Sequence, residues 1–191
     1  MSTQFQWLNE PDVWRAEAGR LTLTTGESTD FWQHTFYGFH RDNGHAWLCP
    51  ASGDFSASAI VTGAYEELYD QAGLMLRIDQ RNWIKTGIEY TDGLMHFSVV
   101  VTREFSDWSV IPLHDAKPTD DVHVRLTRHG DAVRVQYAIS GGAWQMARLA
   151  PFPAVDASVG VMPCSPQRAG FDASFREIEV GPAISRQLHA D

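Results

Sequence analysis

Apolar and polar residues alternate with a period of two along most of this chain, most clearly between Tyr69 and Ser109. In an extended strand, residues two apart share a face. Ile84, Thr86, Ile88 and Tyr90 therefore fall on one side, and Trp83, Lys85, Gly87 and Glu89 on the other. Asp92-Gly93 follows, a strong short hairpin signal because both central positions of a type I′ turn need positive φ. With that turn, Thr91 faces Leu94, Glu89 faces His96 and Lys85 faces Val100. One face then gathers Ile84, Ile88, Tyr90, Met95, Phe97, Val99 and Val101, a core. The other gathers Trp83, Lys85, Glu89, His96, Ser98 and Thr102, a polar face with aromatic and charged members. A one-residue slip would scramble both sets, so this register is favoured. Upstream, Leu74 and Leu76 reach the core face only if the loop at 79–82 has odd length. Arg77 then sits beside Trp83 and Met75 beside Lys85, and the polar face gains an arginine.

The rest of the chain reads as further strands. Phe5, Trp7 and Leu8 form an edge strand broken by Pro11, and 21–25 is a short strand between Gly19 and Gly26. Strand character returns at 46–49 before Pro50, at 54–62, and at 109–113, where Pro112 suits an edge or strand end. Residues 122–128 and 132–140 flank a turn at 129–131, and Gly141-Gly142 turns the chain back through 143–149. The run 158–164 is nearly all apolar, as a central strand would be, and 171–180 closes with alternation. Between 27 and 45 lie Phe31, Trp32, Phe36, Tyr37 and Phe39, interleaved with His34, His40 and His45: a short helical turn or a ligand-side loop. Residues 64–68 make a polar connector. No amphipathic helix longer than about two turns is visible. About a dozen short strands with turn signals between them predict an all-β, two-sheet antiparallel jelly-roll sandwich. The polar side of the 83–102 hairpin would then lie on an outer, concave face.

The chain has 191 residues, which fits one domain over 1–191, with a core at about 5–180 and a loosely held tail at 181–191. Hydrophobic residues make up 43% and charged residues 20%, which excludes a disordered chain. The formal net charge of −9, with no basic cluster, argues against nucleic acid or an anionic membrane as partner. Cys49 and Cys164 have no metal-ligand or CxxC spacing and read as two buried thiols. The N-terminus shows no basic and then apolar leader pattern, and no apolar run approaches the roughly 18 residues of a membrane span. The expectation is a soluble, cytoplasmic protein; oligomerisation with itself is left open.

The segments 69–77, 83–90, 106–109 and 159–166 (Tyr-Asp-Gln-Ala-Gly-Leu-Met-Leu-Arg, Trp-Ile-Lys-Thr-Gly-Ile-Glu-Tyr, Ser-Asp-Trp-Ser and Val-Gly-Val-Met-Pro-Cys-Ser-Pro) together resemble the DUF1349 family, within the concanavalin A-like lectin/glucanase superfamily. The resemblance runs from about Trp7 to Val180. It implies a concanavalin A-like jelly roll. It does not imply an activity, because folds host many functions.

Candidate chemistry centres on the polar face. Aromatic faces with a few oriented polar groups suit a saccharide, and Arg77, Trp83, Lys85, Glu89 and His96 are the expected contacts, with Trp32 and Trp108 at the rim. Arg77 and Lys85 could instead hold an anion such as a sugar phosphate. Glycoside hydrolysis needs two carboxyl groups about 5–5.5 Å or 6.5–9.5 Å apart. The Glu-x-Asp-x-Glu pattern of concanavalin-like glucanases is missing, and Glu177 and Glu179 read as a solvated outer face. Glu89 with His96 could move a proton, but the polar-network reading of the pair is stronger, so neither is assigned as catalytic. His34, His40 and His45 lack zinc spacing, and Asp42, Asp70 and Asp107 lack a calcium-loop pattern, so no metal and no cofactor are assigned. Asp70 and Asp107 read as turn caps. A regulatory protein-interaction module is the runner-up function, and a hydrolase using Glu89 the third.

Overall fold

The computed structural model describes residues 4–188; Met1–Thr3, part of the N-terminus read above, and the last three tail positions, 189–191, lie outside the described residues. The strands are β1 (Gln6–Leu8), β2 (Val13–Glu17), β3 (Arg20–Thr24), β4 (Phe31–Gln33), β5 (His40–Asp42), β6 (Ala46–Ala51), β7 (Phe55–Gly63) and β8 (Gln71–Asp79). They continue as β9 (Asn82–Thr91), β10 (Leu94–Arg103), β11 (Phe105–Pro112), β12 (Val122–His129), β13 (Ala132–Ile139), β14 (Gln145–Pro151), β15 (Ala157–Cys164) and β16 (Asp172–Pro182). No helix occurs among the described residues. Two seven-stranded antiparallel sheets, ordered β1-β6-β15-β8-β9-β10-β11 and β14-β13-β12-β7-β16-β3-β2, form a jelly-roll-type sandwich.

The β9–β10 register matches the pattern: Thr91 faces Leu94, Glu89 faces His96 and Lys85 faces Val100. Between β8 and β9, Arg77 faces Trp83 and Met75 faces Lys85, with a bulge between Arg77 and Asp79 supplying the odd loop. The inward positions of both sheets make one core, including Leu74, Leu76, Ile84, Ile88, Phe97, Val99, Val124, Val135 and Phe175. Phe97 of the first sheet stacks on Tyr137 of the second at 4.3 Å. β15 lies in the interior of the first sheet, as its apolar run requires. The even alternation expected along the last strand is interrupted by a bulge between Arg176 and Glu179, with Glu177 at φ 50°. Both glutamates remain exposed.

Three strands are absent from the sequence reading: β2, whose residues are all exposed, and the short pair β4 and β5. The β4–β5 hairpin changes the picture most. It lies over the outer face of the first sheet and closes a second apolar cluster of Phe31, Trp32, Met75, Trp83, Val100 and Met162. The face expected to be open is therefore partly roofed. The tail also differs from expectation. Arg134, buried in β13, donates to the carbonyls of Ser185 and Gln187 at 2.9 and 3.0 Å, and Ile184 N donates to Ser56 Oγ, so the chain is held as far as Gln187.

The open sides of the sandwich are clasped. Trp7 of β1 meets Trp14 of β2 edge-on at 5.3 Å. On the opposite side Arg148 of β14 bonds Asp107 and Ser109 of β11. Asp107 is thus an ion-pair partner rather than the expected turn cap. Asp70 does cap: its Oδ2 accepts from the backbone N–H groups of Glu66 and Glu67 at 3.0 Å. Both cysteines are buried and free.

Candidate ligand cavity

Three positions of β9 face outward in succession: Lys85, Gly87 and Glu89. Their cross-strand neighbours extend them into rows. Met75 and Val100 flank Lys85, Gly73 and Ser98 flank Gly87, and Gln71 and His96 flank Glu89. The middle row is built of the smallest residues, so the floor is hollow between two long ionisable side chains. Gly73 and Gly87 are required by backbone approach as well. A Cβ on Gly73 would stand 1.9 Å from the Thr86 carbonyl oxygen, and one on Gly87 (φ 152°) 2.2 Å from that of Ala72.

The β4–β5 hairpin, the connector before β8 and the loop after β15 wall this hollow into a cavity of about 260 Å³. Lys85, Glu89, Gln71 and Val100 form the floor. Asp30, Trp32, Tyr37, Phe39 and Arg41 come from the hairpin region, Tyr69 from the connector, Trp108 from β11, and Pro166 and Gln167 from the late loop. The rings stand on edge to one another: Trp32–Trp108 at 6.5 Å and 85°, Tyr69–Trp108 at 6.3 Å and 78°, Trp32–Tyr37 at 5.7 Å and 69°. Their polar tips are already engaged. Trp32 Nε1 donates to the Thr35 carbonyl, Trp108 Nε1 donates to Ser98 Oγ, and the Tyr37 and Tyr69 hydroxyls bond each other at 3.0 Å. The wall thus offers chiefly ring surface.

Two ion pairs pin the hairpin to the sheet. Lys85 Nζ donates to Asp30 Oδ1 at 2.8 Å, with both side chains nearly buried. Arg77 donates twice to Asp42, Nη1 to Oδ1 at 2.7 Å and Nη2 to Oδ2 at 2.9 Å. Burial opposes the charge on Lys85, but the attraction of Asp30, then of Cys164 and Glu89, outweighs it and holds its pKa above the ordinary 10.5. Glu89 shifts the other way for a carboxyl. Burial raises it above 4.5, Lys85 and Ser98 pull it back, and the like charge of Asp30 adds to the rise. The Tyr69 phenol is pushed up to about 12, first by the hydrogen bond it shares with Tyr37 and then by burial. Burial pushes the Cys164 thiol up strongly, which leaves it inert as a nucleophile.

Of the seven expected contacts, Trp32, Lys85, Glu89 and Trp108 line the cavity. The other three do not, each for a physical reason. Arg77 is spent on Asp42 and lies over the Phe31 ring at 5.8 Å. Trp83 is 0% exposed, packed against Phe31 under the hairpin, with Nε1 donating to the Gln80 carbonyl. His96 extends the Glu89 row along the sheet, beyond the cavity wall, with Nδ1 3.1 Å from the Leu94 carbonyl oxygen. Sequence reasoning missed Asp30, Arg41, Tyr69, Gln71 and Gln167. No strand signal existed for Asp30, which lies just before the three-residue β4. None existed for Tyr69, which reaches the cavity from a loop at φ 68°.

The histidines separate. His45 Nε2 accepts from Gly26 N at 3.0 Å, which places its proton on Nδ1, donated to the Asn9 carbonyl. His34 and His40 lie on the hairpin, ring to ring at 6.2 Å. Asp42, Asp70 and Asp107 are paired with three different arginines. Among the described residues no three His, Cys, Asp or Glu side chains gather as a metal site.

The profile of a family described as "Protein of unknown function (DUF1349)" matches residues 7–183. The chain is 42% identical over 188 residues to "Regulation of enolase protein 1" of Saccharomyces cerevisiae, covering 98% of this chain and 94% of that protein. A crystal structure of a Saccharomyces cerevisiae protein of unknown function superposes with a TM-score of 0.90 at 42% identity, covering 95% of this chain and 98% of the other. A legume lectin-like domain from Entamoeba histolytica shares the fold at a TM-score of 0.59 and 7% identity, covering 94% and 90%.

Proposed function

We propose, from the premise that this chain belongs to the DUF1349 family, that it is a non-catalytic module binding a small saccharide in the cavity above β9. The observation that carries this reading is the pairing of an aromatic wall (Trp32, Tyr37, Tyr69, Trp108) with a buried polar floor (Lys85, Glu89, Gln71). Such a combination grips a sugar ring by its apolar face and fixes its polar groups. The volume, near 260 Å³, suits one sugar unit, being below the roughly 300–1,000 Å³ of drug-sized sites. Of the two cations expected to hold a sugar phosphate, Arg77 is committed to Asp42 and Lys85 to Asp30, while Arg41 lines the cavity bonded to the Ser28 carbonyl. Calorimetric titration with a panel of neutral, amino and phosphorylated monosaccharides tests the reading. Saturable binding by at least one sugar, weakened about tenfold or more by Trp108→Ala, is expected. A panel that gives no saturable heat sinks it.

A second reading, a regulatory protein-interaction module, draws on apolar side chains exposed on and beside the β4–β5 hairpin. Phe36 is 95% exposed at φ 62°, and Phe39, Leu68, Phe105 and Trp108 stand exposed as well. The name of the similar yeast protein fits it. Its test is whether Phe36→Asp abolishes co-purification of a partner while leaving sugar binding intact. Hydrolysis is the weakest reading. Asp30 does bring a second carboxylate to Glu89's cavity, but one of its oxygens accepts from Lys85, and no turnover of aryl glycosides is expected.

A further inference from the structure

Two cations, Lys85 and Arg41, and two carboxylates, Asp30 and Glu89, line the cavity, so the charges balance in sum but not in pairing. Lys85 is matched by Asp30 at 2.8 Å. Arg41 donates to the Ser28 carbonyl at 3.0 Å and lies 5.3 Å over the Phe39 ring. Glu89 is different. It is 5% exposed and lines the cavity, yet among the described residues no lysine, arginine or histidine forms an ion pair with it. Its hydrogen-bonding neighbours are Ser98 and Trp108. A buried carboxylate without a counter-charge is costly. The aromatic rings that line the cavity with it carry negative faces, and both indole N–H groups are engaged, while the Tyr37–Tyr69 hydroxyl pair uses one of its two protons. Several aromatic rings beside a carboxylate can seat an ammonium group on their faces. A chain of net charge −9 also draws cations toward it.

We infer that the ligand is cationic: a saccharide carrying an amine, its ammonium group seated between Glu89 and the rings of Trp32, Tyr69 and Trp108. This rests on the binding reading above and assigns the charge that the ligand bears. The ammonium gives Glu89 the directly bonded cation that it lacks, and the sugar ring lies toward the mouth, where Trp108 and Phe39 are exposed.

Titration of the intact protein with glucosamine, N-acetylglucosamine and glucose, and with tetramethylammonium as a bare cation, tests the assignment. Glucosamine is expected to bind about tenfold or more tightly than glucose or N-acetylglucosamine. Tetramethylammonium is expected to compete with it. Glu89→Gln, checked for a retained fold by its circular dichroism spectrum, is expected to weaken glucosamine at least about tenfold more than glucose and so to abolish the preference. Tetramethylammonium keeps its charge at every pH, so its affinity should fall as Glu89 takes up a proton. The other groups facing Glu89 are Lys85 on its own strand, His96 across β10, Asp30 and Arg41 from the hairpin region, Tyr69 from the connector and Cys164 on β15. Among these groups His96 is the one imidazole, and His96→Gln is the control that should leave the profile in place. Equal affinity for the three sugars, with the same loss for each in Glu89→Gln, overturns the cationic assignment and leaves the binding reading standing. No binding by any sugar or by tetramethylammonium overturns both.

Discussion

Lys85 and Glu89 lie four residues apart on one face of one strand, and burial treats them differently because only Lys85 has a bonded counter-ion. Replacing one member of a buried pair leaves the other charge stranded, which costs about 3–5 kcal/mol. Lys85→Met should lower the stability measured by urea denaturation by that amount, and adding Asp30→Leu should recover much of it. Glu89 makes the opposite prediction. Its pKa in the fold is raised, so the folded state holds a proton that the unfolded chain has already released. Stability from this group is full below about pH 4.5, the unfolded value, and is lost as pH rises through the folded value. Glu89→Gln should therefore be more stable than the parent at neutral pH, with the difference vanishing below pH 4.5; denaturation midpoints across pH 4–8 check this. Both residues were legible in the sequence as sharing a face, because the Asp92-Gly93 turn set their register. Trp83 obeyed the same alternation and was still misread. Parity tells which side a side chain takes and says nothing of what later covers that side.

At the scale of elements, the long strands were legible and the short ones were not. β9 and β10 carry ten residues each of clean alternation. β4 and β5 carry three each, joined by a loop with His34, Phe36 and Gly38 at positive φ, so no period could establish itself. β2 is exposed on both faces and shows no apolar stripe. The hairpin nonetheless determines the site, since it turns an outer sheet face into a walled cavity. The floor depends on the glycine pair between β8 and β9. Gly87→Ala would press a methyl group into backbone rather than into a movable side chain. It should destabilise by about 1–3 kcal/mol, read by thermal unfolding, and should weaken ligand binding more than the stability loss alone explains, by lifting the floor.

For the whole molecule, the fold class was legible because many short alternating runs with turn signals have few solutions other than a sandwich. The clasped sides and the held tail were not, since they depend on single long-range contacts such as Trp7 with Trp14 and Arg134 with Ser185 and Gln187. A chain ending at Pro182 would strip the buried Arg134 of two carbonyl acceptors. It should be less stable by about 1.5–3 kcal/mol, visible as a lowered melting temperature. The hairpin roof bears on motion. Floor and roof come from separate pieces of chain tied by two nearly buried ion pairs, which salt screens weakly. A ligand held between them binds only while the roof is down, so occupancy and closure share one free energy. Amide hydrogens that exchange through lifting of 31–42 should then slow by the factor 1 + [L]/Kd on saturation, while those deep in β12 and β13 keep their own rates; the cavity would report its filling through the rhythm of its lid.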